Sequence, residues 1–91
     1  MILNRQQSKK LKHHLLNAGA DREEWRRVVS EVEERFRGTE QEALLYFMRS
    51  GRPAEQTAAA LHIDRGTYFR WRNEVLLFTA IKAAEAGIFS V

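Results

Sequence analysis

Apolar positions recur every three or four residues along most of the chain, the period of helices with one buried face. Leu11 and Leu15, with Leu16 beside them, predict a first helix over residues 4–18. Its other side carries Arg5, Lys9, Lys10 and Lys12, and Gly19 reads as its stop. Trp25, Val28, Val29, Val32 and Phe36 form the stripe of a second helix from Asp21 to Arg37. Asp21 and Glu24 suggest a capping box at its start, and Gly38 ends it. Thr39 and Glu42 repeat that signature for a third helix to Ser50. Its buried side is expected to be Ala43, Leu44, Phe47 and Met48, broadened by Leu45 and Tyr46. Gly51 terminates it, and Pro53 suits the first turn of a fourth helix, about 53–61.

A fifth helix starts at Asp64, a good N-cap, and meets no breaker before Gly87 except the isolated Gly66. Tyr68, Trp71 and Val75 share one face and are expected to point inward. Leu76, Leu77, Ala80, Ile81 and Ala84 make the C-terminal half apolar nearly all round. Such a helix needs cover on every side, and a second subunit through that half, as a homodimer, is one source. The tail Ile88–Val91 is expected either to fold back on the core or to cross to that mate. The pattern therefore predicts one all-α domain over residues 1–91, a compact bundle of about five helices with a long last helix.

The stretch 53–73 organises the reading. A short helix with Ala54, Ala58 and Leu61 on one face, the turn His62-Ile63-Asp64 and an arginine-rich helix form a helix-turn-helix, with residues 74–91 as its extension. The second helix of such a motif enters the DNA major groove, where arginine grips guanine and asparagine grips adenine. Residues 60–76, Ala-Leu-His-Ile-Asp-Arg-Gly-Thr-Tyr-Phe-Arg-Trp-Arg-Asn-Glu-Val-Leu, resemble the helix-turn-helix of sigma-factor region 4. They resemble still more the small phage late-gene transcriptional activators of the ArpU/RinA type. The resemblance implies that Arg65, Gly66, Thr67, Phe69, Arg70 and Asn73 face DNA, and that the protein is phage- or prophage-encoded. Two positions depart from the usual pattern. His62 stands in the turn where many such proteins have glycine, and Thr57 stands where a larger aliphatic residue is usual.

Composition narrows the function. The net charge is +3 over 91 residues, and the charge is unevenly spread. Residues 1–20 hold four basic and no acidic side chains, and residues 21–48 hold five basic and eight acidic ones. Residues 49–73 add Arg49, Arg52, Arg65, Arg70 and Arg72 against Glu55 and Asp64. There is no cysteine, so disulfides and thiolate metal sites are excluded. His13 and His14 are adjacent and lie about 100° apart on a helix, so they form no metal pair. No Gly-rich phosphate loop or tuned carboxylate pair points to an enzyme, a cofactor or a metal. No apolar run has the length of a membrane span, the first residues lack the core of a signal peptide, and the expected location is cytoplasmic.

The leading expectation is a sequence-specific transcriptional regulator that binds double-stranded DNA. Arg65, Arg70 and Asn73 would read bases; Thr67, Arg72, Arg49 and Arg52 would contact mainly phosphates. Phe69 either meets a thymine methyl or joins the core. The basic side of the first helix is either an auxiliary arm on the phosphates or a solvated face. Two other readings stand beside this one. One is a protein-interaction module that contacts RNA polymerase or another regulator through the Glu-rich second helix and the apolar C-terminus. The other is a small phage DNA-packaging subunit, recognisable by ring assembly.

Overall fold

The computed structural model describes residues 2–90, so Val91 of the apolar tail lies outside the described residues. The helices are α1 (Arg5–Leu16), α2 (Glu23–Phe36), α3 (Glu40–Arg49), α4 (Ala54–Ala60) and α5 (Arg65–Glu85), with no strand among the described residues. The other four helices all pack on α5, which makes it the spine of an all-α bundle. The radius of gyration is 12.6 Å, close to the roughly 12 Å expected of a packed chain of this length.

The helix starts show where local sequence rules hold and where tertiary contacts override them. Asn4 and Gln7 form a reciprocal capping box on α1, with bonds of 2.8 and 2.9 Å. Asp64 caps α5 as expected, its carboxylate accepting from the Thr67 N–H at 2.6 Å. The box expected at Asp21 and Glu24 does not form. Helix α2 starts two residues later with Arg22 as N-cap, and the Asp21 carboxylate is taken by the ring of His14. At α3, the Thr39 hydroxyl donates back to the Phe36 carbonyl at 2.6 Å instead of capping. The Glu42 carboxylate accepts from the Gly38 N–H, one residue before the expected partner.

The helix ends share one device. In α3, α4 and α5 the residue after the C-cap has positive φ, and two bonds close the last turn. For α4 these are His62 N–H to the Ala59 carbonyl (3.2 Å) and Ile63 N–H to the Ala58 carbonyl (3.0 Å). Helices α3 and α5 place Gly51 and Gly87 at the left-handed position, with φ near 75°. Helix α4 places His62 there at φ 57°, the one non-glycine residue with positive φ among the described residues. The expected stop at Gly19 is different: α1 ends at Leu16, the Asn17 side chain donates to the His13 carbonyl, and Gly19 lies in a 3-10 turn over Ala18–Ala20.

The core joins Leu11 and Leu15 to the α2 stripe, to Leu44, Leu45 and Met48, and to Tyr68, Val75, Leu76, Ala80 and Ala83. A fully buried leucine or valine in such a core contributes about 1.5–3 kcal/mol. Trp25 is the largest fully buried side chain, and the His14 ring stacks on it at 3.7 Å. Five expected core positions differ. Leu16 and Ala43 are exposed, Tyr46 is 68% exposed, and Phe47 and Trp71 are half-buried. Only a narrow arc of α3, centred on Leu44, Leu45 and Met48, meets the bundle, and residues 43 and 46 fall outside it.

The C-terminal half of α5 is covered mostly by its own chain. Val75, Leu76, Thr79, Ala80 and Ala83 are buried, and the Thr79 hydroxyl donates to the Val75 carbonyl at 2.7 Å. Of the two expectations for the tail, it folds back: Phe89 is buried beneath Lys10, whose ammonium lies 5.6 Å from the ring centroid. Ile81 stays 44% exposed. No helix among the described residues is long and apolar enough to cross a membrane.

Candidate nucleic-acid interface

The pair α4 and α5 places the arginine-rich sequence at the bundle surface. Residues 61–64 form the connection between them. Thr57 and Ala58 of α4 are buried, as is Tyr68 of α5, and this anchors both helices. The remaining arc of the first half of α5 then faces outward by helical geometry alone. Gly66, Arg70 and Asn73, spaced four and three residues apart, form an exposed stripe about two turns long.

The other expected residues surround this stripe. Arg65 is exposed, 3.6 Å from a carboxylate oxygen of Glu55, with its guanidinium 5.4 Å from the Phe69 ring centroid. Both partners of that ion pair are well exposed, so it holds Arg65 only weakly. Thr67 is half-buried, its backbone committed to the Asp64 cap. The cap hydrogen bonds from Thr67 hold the Asp64 carboxyl below the usual carboxylate range, and the positive charge of Arg70 adds to that. Phe69 is half-buried, edge-on to Tyr68 at 5.1 Å, and packs against the core while its outer edge lines a surface groove. Arg72 is half-buried along the same groove; Arg52 lines it too but is exposed, its guanidinium 4.8 Å from the Phe47 ring centroid. Asn73 also borders a shallow depression with Ile2, Leu3 and Leu77.

Arg49 stands apart. It donates to Glu33 of α2 at 2.7 Å and lines a different depression, with Glu42 and Tyr46. Arg65, Gly66, Thr67, Phe69, Arg70, Arg72 and Asn73 thus lie on the first half of α5, Arg52 joins Phe69 and Arg72 at the groove, and Arg49 is tied to the acidic helix. Of the four basic residues of the first helix, Lys12 lines the groove with Arg52 and Arg72.

Gly66 is distinctive because the fold does not require it. Its φ is not positive, and a Cβ built there meets only the Asp64 carboxylate, at 3.5 Å, an ordinary contact. A glycine inside a helix is less stable than alanine by about 0.8–1 kcal/mol. Here that cost leaves bare backbone on the exposed stripe. Thr57, the other departure from the usual pattern, is fully buried, and its hydroxyl has no hydrogen-bond partner.

Among the described residues no three His, Asp or Glu side chains gather as a metal site. No family model, no curated protein and no solved structure matches the chain. The class defined by fold and surface is therefore an all-α bundle with an arginine-rich helical face.

Proposed function

We propose that this chain is a sequence-specific DNA-binding transcriptional regulator that lays the first half of α5 in the major groove of duplex DNA. The observation that carries the reading is the exposed Gly66–Arg70–Asn73 stripe on a helix anchored by core residues on its opposite side. Arg70 reads guanine through its paired N–H groups, and Asn73 reads adenine. Gly66 lets the DNA approach the helix backbone. Arg65, released from its exposed pairing with Glu55, reads a base beside them. Thr67, Arg52 and Arg72 position the protein on phosphates, which supplies affinity without sequence information. Arg49 joins them only by leaving Glu33. So small a surface needs a second copy on a repeated half-site for useful specificity. Ile81 with Leu77 is the apolar surface that the second half of α5 leaves for it.

The test is fluorescence anisotropy with random-sequence duplex DNA at low and physiological salt, followed by selection of the preferred site. Tight binding that weakens steeply with salt is expected. On the selected site, Arg70→Ala is expected to cost about 1–3 kcal/mol and to relax specificity at one position. Absence of binding at low salt refutes the proposal. It would favour the protein-interaction reading, with the exposed acidic face of α2 and the exposed Tyr46 as the surfaces to probe.

A further inference from the structure

The groove between α1 and α5 has a charge pattern unlike the other charged depressions on the molecule. One wall is α1, with Lys12 and Leu16; the other is α5, with Tyr68, Phe69 and Arg72; the α3–α4 corner contributes Arg52. It encloses about 340 Å³, and its lining carries three cations and no carboxylate. The depressions along α2 all carry glutamates: Glu24, Glu31 and Glu85 in one, Glu33 and Glu42 in another, Glu23 and Glu31 in a third. None of Lys12, Arg52 and Arg72 has a carboxylate within ion-pair distance among the described residues, whereas Arg49 and Arg65 do. The groove is lined by buried Met48 and Tyr68 and half-buried Phe69. Apolar walls beside a charge reduce solvent screening and strengthen its pull on an anion.

We infer that this groove is a clamp for the DNA sugar-phosphate backbone flanking the bases read by α5, with Lys12 as its contact from the N-terminal helix. The inference rests on the DNA-binding reading and adds a second helix to it. Arg72 lies within one turn of Arg70 and Asn73 along the helix axis but about 100–160° around it, so the groove lies on the flank of α5, where the backbone of a groove-bound helix's DNA passes. Lys12 of α1, Arg72 of α5 and Arg52 of the α3–α4 corner all line this one groove. Charge complementarity favours an anionic occupant, since the lining holds three cations and no carboxylate, and the sugar-phosphate strand is the polyanion that binding through α5 would bring there.

The experiment measures log Kd against log salt for duplex DNA with the whole chain and with Lys12→Gln, Arg72→Gln and Lys10→Gln. Lys12 is exposed, so its substitution leaves the fold intact, and thermal unfolding checks this. Lys10 lies over Phe89, away from the groove, and is the control for general charge. Lys12→Gln and Arg72→Gln are each expected to lower the slope by about 0.9, which is about a 3.5-fold smaller loss of affinity between 50 and 200 mM salt. Lys10→Gln is expected to leave the slope unchanged. Wild-type binding with an unaltered slope in Lys12→Gln, or equal changes in Lys12→Gln and Lys10→Gln, overturns the groove and leaves the DNA-binding reading standing. Absence of wild-type binding at low salt overturns both.

Discussion

Gly66→Ala separates what the fold needs from what a DNA surface needs, because the two predict opposite signs. The substitution adds one methyl group in the first turn of α5. The built Cβ lies 3.5 Å from an Asp64 carboxylate oxygen and near nothing else, so no atom has to move. The position is exposed, so little apolar area is buried. What remains is backbone entropy, which favours alanine over glycine by about 0.5–1 kcal/mol. For a domain of this size that raises Tm by about 2–8 °C. Binding moves the other way. A methyl group on the stripe that meets the major groove holds the helix backbone off the DNA and is expected to raise Kd roughly tenfold, about 1.4 kcal/mol. Thermal unfolding followed by circular dichroism reads the first effect, and anisotropy on the selected duplex reads the second. A lower Tm would mean that the fold requires the glycine and would refute its role as a point of DNA approach. A higher Tm with unchanged Kd would place the point of closest DNA approach elsewhere on α5.

Three further predictions concern stability. Thr57→Val removes a buried hydroxyl that has no partner, and is expected to stabilise the chain by about 1–3 kcal/mol in urea unfolding; a loss of stability would show that the hydroxyl is hydrogen-bonded in solution. His62→Gly relieves the left-handed backbone at φ 57°, and with the extra entropy of unfolded glycine subtracted the expected gain is about 0.5–1 kcal/mol; an unchanged or lower Tm refutes it. Asp21 is raised by its burial but lowered further by the hydrogen bond to His14, the Arg22 N–H and the charges of both, so its carboxyl titrates below the usual range. A depressed carboxylate contributes stability above the ordinary range, about pH 4, and loses it as pH falls through the folded value. Asp21→Asn is therefore expected to lower stability at neutral pH and to flatten the acid limb of the stability curve; an unchanged acid limb removes Asp21 from that role.

The five helices were legible in the sequence because helix formation is local. The stripe Trp25–Val28–Val29–Val32–Phe36 and the glycines at 38, 51 and 87 act within a few residues of themselves, and each produced its element within two residues of the expected ends. The Asp64 cap was legible for the same reason, and so was Arg70 as an outward residue opposite Tyr68 and Val75. The oddity of His62 and Thr57 was also visible; that they carry backbone strain and an unpaired hydroxyl was not.

What only the tertiary structure decided is which distant side chains meet. The capping pattern at Asp21 was outcompeted by His14, seven residues away and stacked on buried Trp25. The cation Arg49 was drawn to Glu33 across the α2–α3 contact, and Lys12 was carried to Arg72, sixty residues further along the chain. Periodicity fixes a side chain's angle around its own helix axis. It says nothing about the neighbouring helix, so the width of the buried arc at Ala43 and Tyr46, the fold-back of Phe89 and the make-up of the α1–α5 groove are set by packing alone.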